Sequence, residues 1–347
     1  MSFLLKFIHK GRNYIMSITV VIQQMIMIFI LIGIGMILYK KEMLSEGTSK
    51  QISGIIVNVT NPALLICSAF GDGPKVSLRE LGTALIIFII IYALLLAAAF
   101  LIPYILRVEK GYHYSYQMLT VFGNVGFIGI PLASAVLGTE CLIFVSIYNL
   151  IYNILIYTFG ISVLQKAAAR QSAAMAECDV NTLNAQTEPT MPADTHIGSA
   201  RLKKLINAGT LSAAATIIFY LIDFPVPVII PSTLTYMGQA TTLLSMLVLG
   251  ASVAQMALKD IFCHPRLYGF VLLRQILMPI GCVILFRLFI GDTLILSTLA
   301  LMLAVPAGNL PLMLSKQLHA EGETIARGII LSTLLSLVTI PIVSLVL

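Results

Sequence analysis

The chain has 347 residues, of which 59% are hydrophobic and 10% charged, with a mean hydropathy of +0.98. A water-soluble domain carries roughly 25% charged residues, so the composition excludes a soluble globular fold and makes the bilayer the solvent. The net charge of +6 does not point to nucleic acid, because the lysines and arginines cluster between apolar stretches, as they do in membrane proteins.

A helix crosses about 30 Å of hydrocarbon with about 20 apolar residues, and the apolar runs predict ten such spans. Residues 1–15, MSFLLKFIHKGRNYI, are basic with short apolar pieces and no small-residue cleavage site. They read as a peripheral or non-native start ahead of Met16, not a cleaved signal peptide. Span one is expected near 17–39. Span two, near 49–70, carries Asn58, Thr60, Asn61 and Pro62 at its middle. A turn at Gly71-Asp-Gly-Pro74 leads to span three, near 80–106. Span four fills the apolar run 116–137, and span five 141–164. Residues 166–202 are rich in Ala, Gln, Thr and Asn and read as a flexible cytoplasmic linker with a helical start. Span six follows at 205–222, a turn at Asp223-Phe-Pro-Val-Pro227, then span seven at 231–257, eight at 267–289, nine at 294–314 and ten at 328–347.

Two of these spans are interrupted. Phe122-Gly-Asn-Val-Gly-Phe-Ile-Gly-Ile-Pro131 places three glycines, an asparagine and a proline in the middle of span four. Leu303-Ala-Val-Pro-Ala-Gly-Asn-Leu-Pro311 places a glycine, an asparagine and two prolines in span nine. Proline removes a backbone donor and clashes with the preceding turn. Broken hydrophobic segments in corresponding halves point to the substrate site of a secondary transporter. The span centres of the two halves are offset by about 180 residues, so the chain reads as a duplication of five spans, the second copy inverted in the membrane. The units are 1–165 and 203–347, joined by the linker at 166–202. Of the 21 Lys and Arg, fourteen fall in the loops on one side and six on the other. The richer side is expected to be cytoplasmic, which puts both termini outside.

At a break, the N-terminus of a half-helix offers free N–H groups and a partial positive charge, so a carboxylate can dock without a buried lysine. Asn124 and Asn309 each add a donor and an acceptor at a gap. Asn58, Thr60 and Asn61 either face the same cavity or satisfy the backbone at a kink. Asn149 and Asn153 share a helix face, which suits an interhelical hydrogen bond. Arg274 is the basic residue well inside a span; it either neutralises an anion, snorkels or binds backbone carbonyls. No Asp or Glu falls deep in a span, and no catalytic or nucleotide-binding motif is present, so neither an enzyme nor an ATP-driven pump is expected. The five cysteines show no paired or metal-binding spacing, and no metal or cofactor is expected.

Asn124-Val-Gly-Phe-Ile-Gly-Ile-Pro-Leu132, Pro306-Ala-Gly-Asn-Leu-Pro311 and Ser332-Thr-Leu-Leu-Ser-Leu-Val-Thr-Ile-Pro341 together resemble the auxin efflux carrier family, and the short central loop resembles its prokaryotic branch. The resemblance covers nearly all ten spans. It implies an all-α polytopic fold, a 5+5 inverted repeat like that of the bile-acid symporters, with spans four and nine crossing at Pro131 and Pro306. It implies a dimerising scaffold of spans one, two, six and seven, and a mobile body moving as an elevator. In plant relatives an asparagine matching Asn124 binds the substrate carboxylate region, as does polar backbone at the start of span six. The family often has Asn-Pro there, where this chain reads Asn207-Ala208-Gly209. The substrate-binding set is then Asn124, Gly126, Gly129, Pro131, Pro306, Gly308, Asn309, Asn58, Asn61 and Asn207. Bacterial members are associated with malate, malonate and similar acids. The expectation is a homodimeric carrier of a small organic anion in a bacterial inner membrane. A sodium-coupled or amino-acid carrier of the same fold, and a non-transporting membrane sensor, are the alternatives.

Overall fold

The computed structural model describes residues 18–70, 76–180, 207–222, 226–255, 262–320 and 322–347. The N-terminal segment, the Gly71–Pro74 turn, most of the central linker and Asp223–Pro225 lie outside the described residues. Among the described residues twelve helical elements follow one another: α1 (Ile18–Lys40), α2 (Glu46–Phe70), α3 (Leu78–Ile105), α4 (His113–Val121), α5 (Val125–Leu137), α6 (Thr139–Gln171), α7 (Ala208–Ile222), α8 (Ile229–Ala254), α9 (Pro265–Arg287), α10 (Thr293–Ala304), α11 (Leu310–Gln317) and α12 (Glu323–Ser344). Seven of them, α1, α2, α3, α6, α8, α9 and α12, are long and apolar enough to cross a membrane, and α5, α7 and α10 are shorter apolar helices. The chain is a nearly all-helical polytopic membrane protein.

Side-chain caps set several helix starts a few residues ahead of the apolar runs. Ser45 accepts the Thr48 N–H at 3.1 Å and opens α2. Ser77 and Glu80 form a reciprocal capping box that opens α3. Asp292 Oδ1 accepts the N–H groups of Leu294 and Ile295 at the head of α10. Each such cap contributes about 1 kcal/mol. The helix runs on beyond the α6 span, from Ile161 to Val180, past Lys166 where the linker was expected to begin. Gln171 there donates to the Tyr114 hydroxyl of α4 at 3.0 Å, tying this extension to the body.

Three prolines share one local device. The helix widens into a π-turn over Ile56–Thr60, Val125–Gly129 and Leu272–Leu277, and a proline follows two positions after each, Pro62, Pro131 and Pro279. A proline ring pushes away the carbonyl one turn earlier and supplies no N–H. Widening the turn absorbs that carbonyl without breaking the helix.

Two packing groups stand out. α1 lies most extensively on α8, with backbones in direct contact: a Cβ on Gly35 would sit 2.3 Å from the Leu247 carbonyl oxygen, and one on Gly250 2.1 Å from that of Ile32. Small residues of this kind let membrane helices approach closely. α2 packs on α7 and α8 beside them. The other group is centred on α10, whose residues from Leu294 to Ala304 are all buried, as expected of a helix apolar all round. α6, α9 and α12 pack around it. Phe88 of α3 meets Tyr148 of α6 edge-to-face with ring centroids 5.5 Å apart, and Tyr92 lies tilted on it at 4.8 Å. α1 and α3 turn Ile22, Ile26, Ile30, Ile86 and Ile89 outward, a surface suited to lipid and not to water.

Candidate functional site

α4 ends at Val121 and α5 begins at Val125; α10 ends at Ala304 and α11 begins at Leu310. The two gaps lie against each other. Gly123 and Ala307 pair as a single antiparallel bridge. The Asn124 N–H donates to the Pro306 carbonyl at 2.7 Å, and the Gly308 N–H donates to the Phe122 carbonyl at 2.9 Å. The Ala307 N–H donates to Ser332 Oγ of α12 at 3.1 Å. Backbone groups freed by unwinding in lipid need partners, and here each gap supplies them to the other. The approach demands glycine. A Cβ on Gly308 would lie 2.8 Å from the Gly123 carbonyl oxygen, and one on Gly123 2.9 Å from a Val305 methyl.

The C-terminal ends of α4 and α10 meet one side chain. Arg274 is 2% exposed and sits in the π-turn of α9, where the extra residue turns both Arg274 and Gln275 inward. Its Nε donates to the Thr120 carbonyl at 2.6 Å and its Nη1 to the Leu303 carbonyl. Gln275 Nε2 donates to the Ala304 carbonyl at 3.4 Å and to that of Ser332 at 3.2 Å. Of the roles open to Arg274 on sequence, binding backbone carbonyls is the one observed.

The N-terminal ends carry the asparagines. Asn124 caps α5, its Oδ1 accepting the Phe127 N–H at 3.2 Å. Its Nδ2 is buried and has no hydrogen-bond partner among the described residues. Asn61 of α2 donates through Nδ2 to the Gly126 carbonyl at 3.1 Å, and its Oδ1 is likewise buried and unpartnered. A Cβ on Gly126 would lie 3.2 Å from that Asn61 amide. A Cβ on Gly129 would lie 3.4 Å from the Met302 side chain of α10. Asn309 is half-buried at the head of α11, where its carbonyl accepts the Met313 N–H at 3.1 Å.

The structure therefore brings Asn61, Asn124, Gly126, Pro306, Gly308 and Asn309 to the crossing or its edges. Pro131 is not at the crossing: it lies inside α5, where it accompanies the π-turn, and the crossing residues are Gly123 and Asn124. Asn58 is exposed and donates to the Gly54 carbonyl of its own helix at 2.8 Å. Asn207 caps α7 by accepting the Thr210 N–H at 3.1 Å. Beside it, Asn149 of α6 donates to the Gly209 carbonyl at 3.4 Å and Asn153 donates to the Asn149 carbonyl. The Asn149 bond is the interhelical one expected of the pair, while that of Asn153 stays within α6. Ser332, Gln275 and Gly123 were outside the expected set; Gly123 lies in the broken motif of span four and Ser332 opens the span-ten motif, whereas Gln275 lies in neither.

A cavity of about 450 Å³ lies away from the crossing, at the heads of α4, α9 and α12. Glu109 pairs there with Arg266 at 3.7 Å and Glu323 with Arg327. Among the described residues no cluster of His, Cys, Asp and Glu is suited to a metal ion.

Paired broken helices inside a polytopic bundle define a membrane transporter. A model of the family described as "Membrane transport protein", the auxin efflux carrier family, matches residues 20–344, and the chain belongs to that family. It is a membrane secondary transporter. No curated protein matches the chain.

Proposed function

We propose that this transporter moves a small organic anion, a malate- or malonate-like carboxylate, and binds it where the two broken helices cross. The observation that carries this reading is the buried, unpartnered Asn124 Nδ2 at the head of α5. An unmet amide donor in a dry site costs about 1–3 kcal/mol, and a carboxylate oxygen would satisfy it. The same oxygen would meet the positive end of the α5 dipole. The substrate set is Asn124, Gly126, Pro306, Gly308 and Asn309, with Asn61 reaching in from α2; Gly129 and Pro131 shape α5 behind it, Asn207 serves at the head of α7, and Asn58, exposed on α2, lies outside it.

We read α1, α2, α3, α4–α5 and α6 as one five-span unit and α7, α8, α9, α10–α11 and α12 as its inverted copy. The fourth member of each unit is broken, and the two breaks pair. α1, α2, α7 and α8 form the scaffold of a homodimer, and the crossing rides on the remaining helices as an elevator. Asn61 bridges the two bodies through Gly126, so its bond is exchanged during each cycle. Charge bias supports a cytoplasmic linker with both termini on the other side, and we read the membrane as a bacterial inner membrane.

The test is uptake of labelled malonate and malate into proteoliposomes. Saturable uptake that each acid inhibits for the other is expected. Sodium-dependent amino-acid uptake with none of either acid would overturn the assignment.

A further inference from the structure

Where two broken helices cross, four helix ends meet. The N-terminal ends of α5 and α11 each carry roughly +0.5 of a charge, and the C-terminal ends of α4 and α10 roughly −0.5 each. Left alone these contributions nearly cancel, and the crossing would favour neither sign of solute. A cation would be drawn to the carbonyl ends as readily as an anion to the amide ends.

Arg274 breaks this balance. Its guanidinium binds the Thr120 carbonyl at the end of α4 and the Leu303 carbonyl at the end of α10, so one positive charge faces both negative ends at once. The side chain is buried and has no acidic partner among the described residues. Its Nη2 makes no hydrogen bond and lies 3.6 Å from where a Cβ on Gly123 would stand, one residue from Asn124. A buried charge is retained at a cost unless it is matched. Here two half-helix dipoles match it, and the amide ends of the crossing are left as the uncompensated field.

We infer that Arg274 is the residue that sets the sign of the transported solute: by cancelling the carbonyl ends of α4 and α10 it makes the crossing selective for anions. It is a positioning and specificity-determining residue that acts through the field and does not touch the solute. This inference rests on the anionic substrate proposed above.

The experiment compares binding of malonate and of its uncharged analogue malonamide to detergent-purified protein, with thermal unfolding alongside. Arg274→Gln removes the charge, and Arg274→Lys keeps it while losing the two-pronged grip. Gln275→Glu puts a negative charge on the residue next to Arg274, at the Ala304 and Ser332 carbonyls, and leaves Arg274 itself unaltered. Arg274→Gln and Gln275→Glu are expected to weaken malonate relative to malonamide by about tenfold or more. Arg274→Lys is expected to preserve the preference even where stability falls. Equal loss for both ligands, or a preference unchanged in Gln275→Glu, would overturn the inference. Failure of the unaltered protein to bind malonate would overturn the substrate assignment instead.

Discussion

The two gaps at the crossing do the same job with different residues. The first is three residues long, Phe122 to Asn124, and is built on Gly123 and an asparagine cap. The second is five residues long, Val305 to Asn309, and holds Pro306, whose carbonyl accepts the Asn124 N–H. At their C-terminal ends they are alike, since Arg274 serves both. At their N-terminal ends they differ, because Asn124 turns its oxygen inward as a cap and leaves an unmatched amide donor. Breaking a helix therefore needs either a residue that cannot continue it or a neighbour that offers its backbone better partners. The first gap is of the second kind: nothing in Phe122-Gly-Asn forbids a helix, and the opposing chain holds it open.

The largest effect should come from closing the contact between the gaps. Gly308→Val drives a side chain into the Gly123 backbone, which has nowhere to go; a loss of about 3 kcal/mol or more is expected, seen as a fall in Tm and loss of uptake. Gly123→Ala crowds a Val305 methyl and meets Arg274 Nη2 and the Pro306 carbonyl only at ordinary contact distance, and should cost about 1–2 kcal/mol. If Gly308→Val keeps the Tm of the unaltered protein, the gaps are not in contact.

The prolines separate the two gaps next. Pro306→Ala restores a donor inside the second gap and should lower uptake by about tenfold, whereas Pro131→Ala only relaxes a π-turn within α5 and should change it by about twofold. Equal losses would mean that Pro131 belongs to the crossing after all. The smallest effect is expected from Asn58→Ala. Its amide bonds only within its own helix, so stability should stay within about 0.5 kcal/mol of the unaltered protein and uptake should be unchanged. A marked loss of uptake would bring Asn58 back into the site.

Much of this was legible in the sequence. Apolar runs located the helices, and Gly, Asn and Pro at bilayer depth marked both broken ones. The crossing point was not legible, because a proline signals a gap and a π-turn equally well: Pro306 lies in a gap, while Pro62, Pro131 and Pro279 follow widened turns. Nor could sequence choose among the roles of Arg274, since its partners are carbonyls, which every residue carries, and Thr120 and Leu303 come from two other spans. The helical extension of α6 was only half visible, because its Ala- and Gln-rich residues have high helix propensity but no apolar stripe to show what they pack on.

The most direct test is equilibrium binding of labelled malonate to purified protein, unaltered and with Asn124→Ala. The variant loses a helix cap worth about 1 kcal/mol together with the unmatched donor. Saturable binding to the unaltered protein, weakened about tenfold or more in Asn124→Ala with a Tm lowered only by the cap's share, is the predicted result. Saturable binding of equal strength to both proteins would contradict a carboxylate site at the head of α5.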